Sequence, residues 1–414
     1  MVIHRVICLA TVLLFCSQLH AAKDKIVALK GGTLIDGTGN APMSDATIIV
    51  VGDTIVAVGK TKNIDIPANA TILDVSGKWI LPGFIDLHTH LGLPMNDEQI
   101  LEHTDSISTL RALHLMDRLL HAGVTSVRNL GSSTEAMAAL QTASRLGYTS
   151  SLRLFASGAL ITTTGGHGHA GPDASASGVI AVDGPWEFRA AVRQMHKLGF
   201  GYIKLSPTFS PTEVEAAVDE SRVRGMQITA HAGGVSDTDP PSMTRIAVEA
   251  GVDSIEHAPK MSAGTLELMA EKDIHWVPTI AAYQQIDREF GFPKVLKDRG
   301  WSIEMCENLF RRGHKLGLVM GIGTDTTAPW MDEYPQPYFA EMNSFVQLGF
   351  TPMQTIMAAT KNGGIVLAKQ AQVGTLEVGK WADLQVITAN PLESFEALGQ
   401  PEMVMVGGAI HKFE

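Results

Sequence analysis

The segment LPGFIDLHTHLG, residues 81–92, is where the fold is most readily interpreted from the sequence. An apolar run that starts at Phe84 leads to His88 and His90, which one residue separates. Because side chains alternate along a strand, both imidazoles are expected on one face, about 6.5–7 Å apart along the chain. Two imidazoles so placed can bind one metal ion; a surface turn that carries two histidines is the alternative. The segment therefore predicts a strand that ends in a metal site.

Short apolar runs alternate with helix-like stretches through the middle of the chain. In TEAMAALQTASRLG (134–147) and PWEFRAAVRQMHKLG (185–199), for example, apolar residues recur at helical spacing. The candidate strands between such stretches are residues 84–88, 125–129, 153–156, 202–205, 227–231, 253–257, 275–279 and 319–324. Repeated strand–helix alternation predicts an α/β fold, here a (β/α)8 or TIM barrel over residues 79–368.

Both ends of the chain have a different pattern from the middle. ATIIVVGDTIVAVGK (46–60) and VGTLEVGKWADLQVI (373–387) combine β-branched residues with Gly and Asp at turn spacing. Similar runs fill residues 23–78 and 369–414. We therefore predict that these two segments form one small β-sandwich domain, built from both chain ends.

Four further residues lie at predicted strand ends: Lys204 in YIKLSP, His231 in ITAHAGG, His257 in SIEHAP and Asp325 in GIGTDT. Lys204 precedes His231 by 27 residues, and His231 precedes His257 by 26, so each interval fits one strand–helix unit. A strand-end histidine by itself is often only a hydrogen-bonded residue. Together, however, these side chains are expected at the carboxyl ends of the barrel strands, where barrel enzymes have their active sites.

The sequence resembles the amidohydrolase superfamily over nearly the whole chain that follows residue 22. The resemblance includes LPGFIDLHTH, the Lys, His, His and Asp at strand ends, and the later GTLEVGKWADL. It implies two divalent metal ions, expected to be zinc, bridged by Lys204 after its amine has been carboxylated by carbon dioxide. One ion would be bound by His88, His90, Lys204 and Asp325. The other would be bound by Lys204, His231 and His257. An unmodified ammonium has three donors and no acceptor, so only the carbamate form of the lysine could be a ligand.

A second motif narrows the resemblance to one branch of the superfamily. TTGGHGH, residues 163–169, resembles the imidazolonepropionase-related branch, which includes prolidase-like peptidases and ochratoxin-type amidases. In this Gly-rich loop His167 is the candidate for polarising the scissile carbonyl or binding a substrate carboxylate. A loop histidine that only caps the backbone is the alternative, and no role is assigned to His169. The aromatic residues after Asp325, from Trp330 to Phe339, either line a substrate pocket or pack against helices.

The resemblance implies hydrolysis of an amide or peptide bond by metal-bound hydroxide, with Asp325 as the catalytic base and then the acid. The substrate would be a small molecule or short peptide: a dipeptide, a carboxypeptidase substrate, an N-acyl amino acid or an ochratoxin-like amide. The alternatives are a cyclic amidohydrolase or deaminase, or a lactonase or esterase, of the same superfamily. A deaminase is disfavoured, because Gly234 stands where mononuclear deaminases carry a glutamate. A non-catalytic metal-binding protein is a remote alternative.

Composition excludes several classes of partner. The chain has 414 residues, of which 45% are hydrophobic and 18% charged, and a formal net charge of −11. Without a long basic run, nucleic acid is not an expected partner. After residue 22, no apolar stretch reaches the length of about 20 residues that a membrane helix needs. A homo-oligomer is compatible with this composition.

The first 22 residues are predicted to be a signal peptide. A basic start, MVIHR, precedes the apolar run VICLATVLLF (6–15), and the small residues Ala21 and Ala22 follow. The apolar run is too short to span a bilayer, which favours a cleaved secretory signal over a transmembrane helix. A retained amphipathic anchor is the alternative. The mature protein is therefore expected to be periplasmic or secreted.

Overall fold

The structure is a computed structural model, and it describes residues 25–93, 104–149, 152–169, 178–233, 242–290, 297, 302–326, 333–395 and 398–413. The signal peptide predicted at residues 1–22 lies outside this part of the chain. Helices and strands are mixed along the described chain, so the predicted α/β class is confirmed. None of the helices in the described ranges is long and apolar enough to cross a membrane.

Both ends of the described chain contribute strands to one sheet. The N-terminal strands are β1 (Ile26–Leu34), β2 (Met43–Val51), β3 (Thr54–Lys60), β4 (Thr71–Asp74) and β5 (Trp79–Pro82). The C-terminal strands are β15 (Leu384–Ile387), β16 (Met403–Val406) and β17 (Ala409–Lys412). They pair in the order β17-β16-β15-β5-β1-β2-β3, and β4 pairs with β1. Hydrogen bonds between β5 and β15 therefore join the two ends of the chain.

Strand β5 belongs to this terminal sheet, although the sequence interpretation began the middle region at residue 79. Trp79 pairs with Ile387 of β15 and with Thr33 of β1. Ile80 is buried with Leu384 in an apolar cluster formed by the terminal sheet. Burial of this apolar face explains why the strand lies here, since one face of a mixed or antiparallel sheet must be covered.

The remaining strands lie in the middle of the chain and form two parallel sheets. The first contains β6 (Phe84–Thr89), β7 (Val124–Asn129) and β8 (Arg153–Ala156). The second contains β9 (Leu160–Thr162), β10 (Val179–Ala181), β11 (Tyr202–Leu205), β12 (Gln227–His231), β13 (Ser254–Glu256) and β14 (His275–Val277). Its order is β10-β9-β11-β12-β13-β14, so β11 to β14 are neighbours in chain order.

Two chain segments connect these parallel sheets. Residues 157–159 lead from β8, in the first sheet, directly into β9, in the second. At the opposite edges, the backbone N–H of Gly321 donates to Trp276 O at 3.0 Å, and that of Leu87 donates to Ile322 O at 3.0 Å. Residues 319–325 are therefore hydrogen-bonded to both β14 and β6.

The strand predicted at residues 319–324 is not a regular strand in the described chain. Within it, Met320 forms an isolated parallel bridge with Trp276. Glycine at 321 and 323 has low strand propensity. At Gly323 the backbone also passes so close to its neighbours that a Cβ would lie 2.4 Å from Val277 Cγ1. This close approach needs glycine. Residues 319–325 therefore form hydrogen bonds with two strands but lack the complete hydrogen-bond ladder of a regular strand.

The helices alternate with the parallel strands and continue after them. They are α1 (Asp105–His121), α2 (Thr134–Arg145), α3 (Pro185–Lys197), α4 (Pro211–Val223), α5 (Ser242–Ala250), α6 (Ala263–Glu271), α7 (Ile280–Phe290), α8 (Ile303–Lys315), α9 (Gln336–Gln347), α10 (Pro352–Ala359) and α11 (Lys361–Val366). Their spacing buries one face, as in α3, where Phe188, Val192 and Met195 are buried. The apolar faces and the strands share one large core, so the helices fix the positions of the strand ends.

Two strands end earlier than predicted, and the backbone shows why. The predictions were 253–257 and 275–279, whereas β13 ends at Glu256 and β14 at Val277. His257 and Thr279 have φ angles of 64° and 47°, in the left-handed region that interrupts a strand. The chain therefore turns at these residues, which lie in the candidate active site.

Candidate active site

The carboxyl ends of the parallel strands bring together the residues predicted as metal ligands. His88 lies in β6, Lys204 in β11 and His231 at the end of β12. His90, His257 and Asp325 lie just beyond β6, β13 and the 319–324 segment. A cavity of about 370 Å³ is lined by His90, His167, Lys204, His231, His257 and Asp325, among others. The sequence-predicted residues thus converge on one pocket.

The imidazole rings form a continuous series across this pocket. The ring centroids of His88 and His90 are 5.2 Å apart, and those of His88 and His257 are 4.6 Å apart. The ring of His231 lies 4.5 Å from that of His257 and 4.3 Å from that of His167. Each of these side chains offers a ring nitrogen as a metal ligand, so their close packing is suited to binding metal ions.

The carboxylate of Asp325 completes one ligand group with His88 and His90. Its Oδ1 lies 3.2 Å from His90 Nε2 and 3.5 Å from His88 Nε2. One ligand atom from each residue lies within 4.8 Å of those of the other two, close enough to bind a single ion. The Nδ1 of His90 is 2.9 Å from Gly131 O, to which it donates, so its Nε2 is left with a lone pair.

Burial keeps two of these imidazoles, those of His88 and His257, in the neutral form that binds metals. Burial lowers the pKa of His88 to about 3 and that of His257 well below its usual value. Burial also opposes ionisation of Asp325, but the neighbouring rings of His257, His88 and His90 hold its pKa well below the usual range. His88 and His257 are therefore neutral and Asp325 is ionised, as metal ligands must be.

Lys204 is buried at the centre of the site. Its side chain is 2% exposed, and its Nζ lies 3.3 Å from His88 Nε2. Burial lowers the pKa of Lys204 to about 8, although the carboxylates of Glu256 and Asp325 favour its charged form. A larger neutral fraction is what addition to carbon dioxide requires, because the free amine is the nucleophile.

Several residues of the site have strained backbone conformations. His257, Ala258, Thr279 and Asp325 have φ angles between 47° and 64°, which non-glycine residues rarely adopt. Such strain costs of order 1–3 kcal/mol per residue and is typical of functional sites. At His257 and Asp325 the strained backbone is that of a predicted ligand.

The two histidines of the Gly-rich loop have different positions. His167 lines the cavity with its ring against His231, as a residue that contacts substrate would. The Nδ1 of His169 instead accepts the backbone N–H of Gly165 at 3.1 Å, and His169 is not among the residues that line the cavity. The geometry therefore separates a pocket residue from a loop-capping residue.

The described aromatic residues of the segment after Asp325, which are Tyr334, Tyr338 and Phe339, pack into or against the core. Tyr334 is buried and donates its hydroxyl hydrogen to Asp86 Oδ2 at 2.8 Å, and Tyr338 donates to Ile85 O at 3.1 Å. Trp330 lies outside the described residues. Of the two interpretations of this segment, packing is correct for the described tyrosines. The described pocket wall is formed instead by Leu93, Leu160, Val179, Ala282, Tyr283 and Ile286.

Sequence reasoning missed part of the wall and a buried charged network. Tyr283 and Ile286 lie one helical turn apart in α7, a spacing that indicates a shared face but not which cavity it borders.

Arg128 and Glu256 are 2% and 0% exposed and lie 2.6 Å apart. Each of these charged residues lies within an apolar strand, and charged residues are rarely fully buried unless they are paired. This position in the sequence could have indicated a buried ion pair.

The chain is similar to several known proteins along most of its length. The model of a family described as "Amidohydrolase family" matches residues 79–410. Ochratoxinase of Aspergillus niger is 26% identical, over 92% of this chain and 85% of its own. The crystal structure of that type of enzyme, A. niger ochratoxinase, is 25% identical with a TM-score of 0.82, covering 94% of this chain and 96% of the other. A Xaa-Pro dipeptidase crystallised with methionine in its active site is 27% identical with a TM-score of 0.82, covering 94% and 100%.

Proposed function

Because the chain belongs to the amidohydrolase family and is a hydrolase that acts on C–N bonds, we propose that it is an exported, binuclear metal-dependent enzyme that cleaves an amide or peptide bond. The observation that carries the proposal is the group formed by His88, His90 and Asp325, with ligand atoms within 4.8 Å of one another. Lys204 and His257 border the same cavity, so a second ion has ligands available beside the first.

The side chains present fit two divalent ions, expected to be zinc. One ion would be bound by His88, His90, Asp325 and the carbamate of Lys204. The other would be bound by the same carbamate, His231 and His257. When bound, the metal pair supplies Lewis acidity, which lowers the pKa of water toward 7 and polarises a carbonyl oxygen.

Asp325 and His167 would carry out the proton and hydrogen-bond chemistry. Asp325 takes the proton of the attacking water and delivers it to the leaving nitrogen, so it acts first as base and then as acid. His167, across the pocket, donates a hydrogen bond to the carbonyl oxygen as negative charge develops there. The apolar wall from Leu160, Tyr283 and Ile286 excludes water from the same space.

We also propose that the two parallel sheets are a single (β/α)8 barrel, with the terminal sheet as a sandwich-like domain beside it. The hydrogen bonds of residues 319–325 to both β14 and β6 support this interpretation. In such a barrel the active site lies at the carboxyl ends of the strands, where the predicted ligands are found. The domain boundaries themselves stay a prediction.

The proposed substrates are dipeptides, N-acyl amino acids and ochratoxin-like amides that carry an apolar group. The ochratoxinase and dipeptidase similarities favour these classes, and the apolar pocket wall suits them. Hydrolysis of a cyclic amide, a lactone or an ester would use the same side chains and is the second candidate. The test is a screen of all these compounds on zinc-loaded protein, with metal counted in the same sample. Activity on lactones or esters alone would contradict amide hydrolysis.

Replacing His167 by alanine is expected to lower kcat by about 10²–10³-fold, because loss of one oxyanion donor has this effect. The metal content should not change, since His167 is outside the proposed ligand set. The matched control is His169→Ala, two residues away in the same loop, which should retain near wild-type kcat. Equal kcat in the two variants would remove His167 from the mechanism.

Export is the part of the proposal that rests on the sequence alone. The mature chain is expected to begin near Ala22 or Lys23 and to lie outside the cytoplasm, because the leader has the pattern of a cleaved signal peptide. Cell fractionation and N-terminal sequencing of the purified protein test this. A chain that keeps Met1 in the cell envelope would support a retained anchor instead.

A further inference from the structure

The imidazole of His88, on β6, is held by a buried carboxylate on β13, a strand of the other parallel sheet. Its Nδ1 lies 2.7 Å from Glu256 Oε2, and both residues are fully buried. On its other side, His88 Nε2 lies 3.3 Å from Lys204 Nζ. The ring thus has one nitrogen toward Glu256 and the other toward the centre of the site.

The second oxygen of Glu256 is occupied by a different set of donors. Arg128 Nη2 donates to Glu256 Oε1 at 2.6 Å, and Thr229 Oγ1 lies 2.5 Å from the same oxygen. Arg128 is itself fixed, because its Nε donates to Leu87 O at 2.7 Å. A guanidinium stays charged in proteins, so the neighbouring carboxylate is ionised despite its burial. The two oxygens of Glu256 therefore have separate tasks: Oε1 binds Arg128 and Oε2 binds His88.

An ionised carboxylate can only accept hydrogen bonds, which decides the tautomer of His88. The hydrogen must be on Nδ1, where it is donated to Glu256, and the lone pair must be on Nε2. The contact between Nε2 and the Lys204 amine, which is a donor, agrees with this assignment. The lone pair therefore points into the metal site.

We propose that Glu256, anchored by Arg128, is a positioning residue that holds His88 in its Nδ1–H tautomer and so sets the metal affinity of the site. The inference rests on the proposed function, because it assumes that His88 is a metal ligand. Other rings are held more weakly: His90 Nδ1 donates to a backbone carbonyl, and His257 Nδ1 faces the hydroxyl of Thr279 at 2.7 Å. A carboxylate partner also makes the imidazole a stronger ligand, as is general for such pairs.

The substitution Glu256→Gln tests the tautomer with almost no change of shape. The amide oxygen of Gln must face Arg128, because an amide NH2 there would meet another donor. Its NH2 group then faces His88 Nδ1, which can accept this hydrogen only if the ring carries its own hydrogen on Nε2. The substitution is thus expected to place the ring hydrogen of His88 on Nε2, where the lone pair that binds the metal must be.

Two measurements test this expectation: the tautomer of His88 and the zinc affinity of the site. In metal-free protein labelled with ¹⁵N-histidine, NMR should show the His88 ring as Nδ1–H in the wild type and as Nε2–H in Glu256→Gln; His88→Asn identifies the signal. Zinc titration against a competing chelator should show affinity reduced by about 10–100-fold, the usual effect of removing such a partner. The matched control is Glu341→Gln. Glu341 is a buried carboxylate that accepts hydrogen bonds from the backbone N–H groups of Ile280 and Ala281, and it contacts none of the proposed ligands. This variant should bind zinc as the wild type does.

Glu256→Asp separates positioning from charge. It keeps the negative charge beside Arg128, but its shorter side chain no longer reaches Nδ1, so weaker zinc binding is again expected. It also replaces Glu256→Gln if that variant does not fold. Wild-type zinc affinity in Glu256→Asp, or an Nε2–H ring in the wild-type protein, would overturn the inference. Wild-type protein that binds no divalent metal would instead overturn the proposed function, while the NMR result would still test the tautomer.

Discussion

Replacing Lys204 by alanine is expected to remove most of the bound metal and to reduce turnover below detection. In the proposed ligand set this side chain alone contacts both ions, so its loss weakens both positions at once. Wild-type protein should contain about two divalent metals per chain, the number that the shared-carbamate arrangement requires. Elemental analysis of the dialysed variant, with an amide hydrolysis assay on the same sample, measures both effects.

A control can show whether the carbamate group of Lys204 or its unmodified amine is needed for activity. Because the alanine variant leaves space where the side chain was, a short acid such as acetate should enter it and restore part of the activity. An amine of similar size should not do so in buffer freed of carbon dioxide, since an ammonium has no acceptor for a cation. A full pair of metals in unsupplemented Lys204→Ala would refute the assignment, as would rescue by the amine in the absence of carbon dioxide.

Replacing Asp325 by asparagine is expected to lower kcat by about 10²–10⁴-fold, toward the upper end of what general acid–base catalysis supplies. The amide oxygen of Asn still offers a lone pair, so at least one metal should remain and KM should change little. As a proton acceptor, however, an amide does not function near neutral pH. Steady-state kinetics and metal analysis on the same preparation distinguish these two roles of the carboxylate.

The matched control for Asp325→Asn is Asp383→Asn. Asp383 is also a poorly exposed aspartate, but it lies next to β15 of the terminal sheet and binds Arg153 of β8. Any loss of stability in this control should leave kcat per folded molecule unchanged. If Asp325→Asn kept more than about a tenth of wild-type kcat, above the range for a lost acid–base group, another residue would carry the proton.

The residues proposed as metal ligands could be grouped from the sequence because each depends on a local pattern. His88 and His90 follow an apolar run, at the end of β6 and just beyond it. Strand–helix spacing places Lys204 and His231 on adjacent strands, as β11 and β12 are. A sequence shows such periodicity directly. It also predicts the position of a strand end to within a few residues, which is sufficient to group the side chains.

The partners of these ligands could not be predicted in the same way. Arg128 and Glu256 meet across 128 residues of sequence, and the pairing depends on how the strands are packed. The early ends of β13 and β14 depend on left-handed backbone at His257 and Thr279, a conformation that is uncommon outside glycine and that no sequence pattern here indicates. The face of α7 that borders the pocket is likewise fixed by tertiary packing, so Tyr283 carried no distinctive signal.

The terminal sheet also has a consequence for the order of assembly. Strands β1, β2 and β3 are neighbours in sequence and can pair early as local hairpins. By contrast, Gln385 Nε2 donates to Pro82 O across 303 residues, so this part of the sheet closes only when the last strands are available. Contacts at such separation carry a high loop-closure entropy and slow folding. During synthesis, the edge of β5 that pairs with β15 therefore stays unpaired until residues 384–387 have left the ribosome.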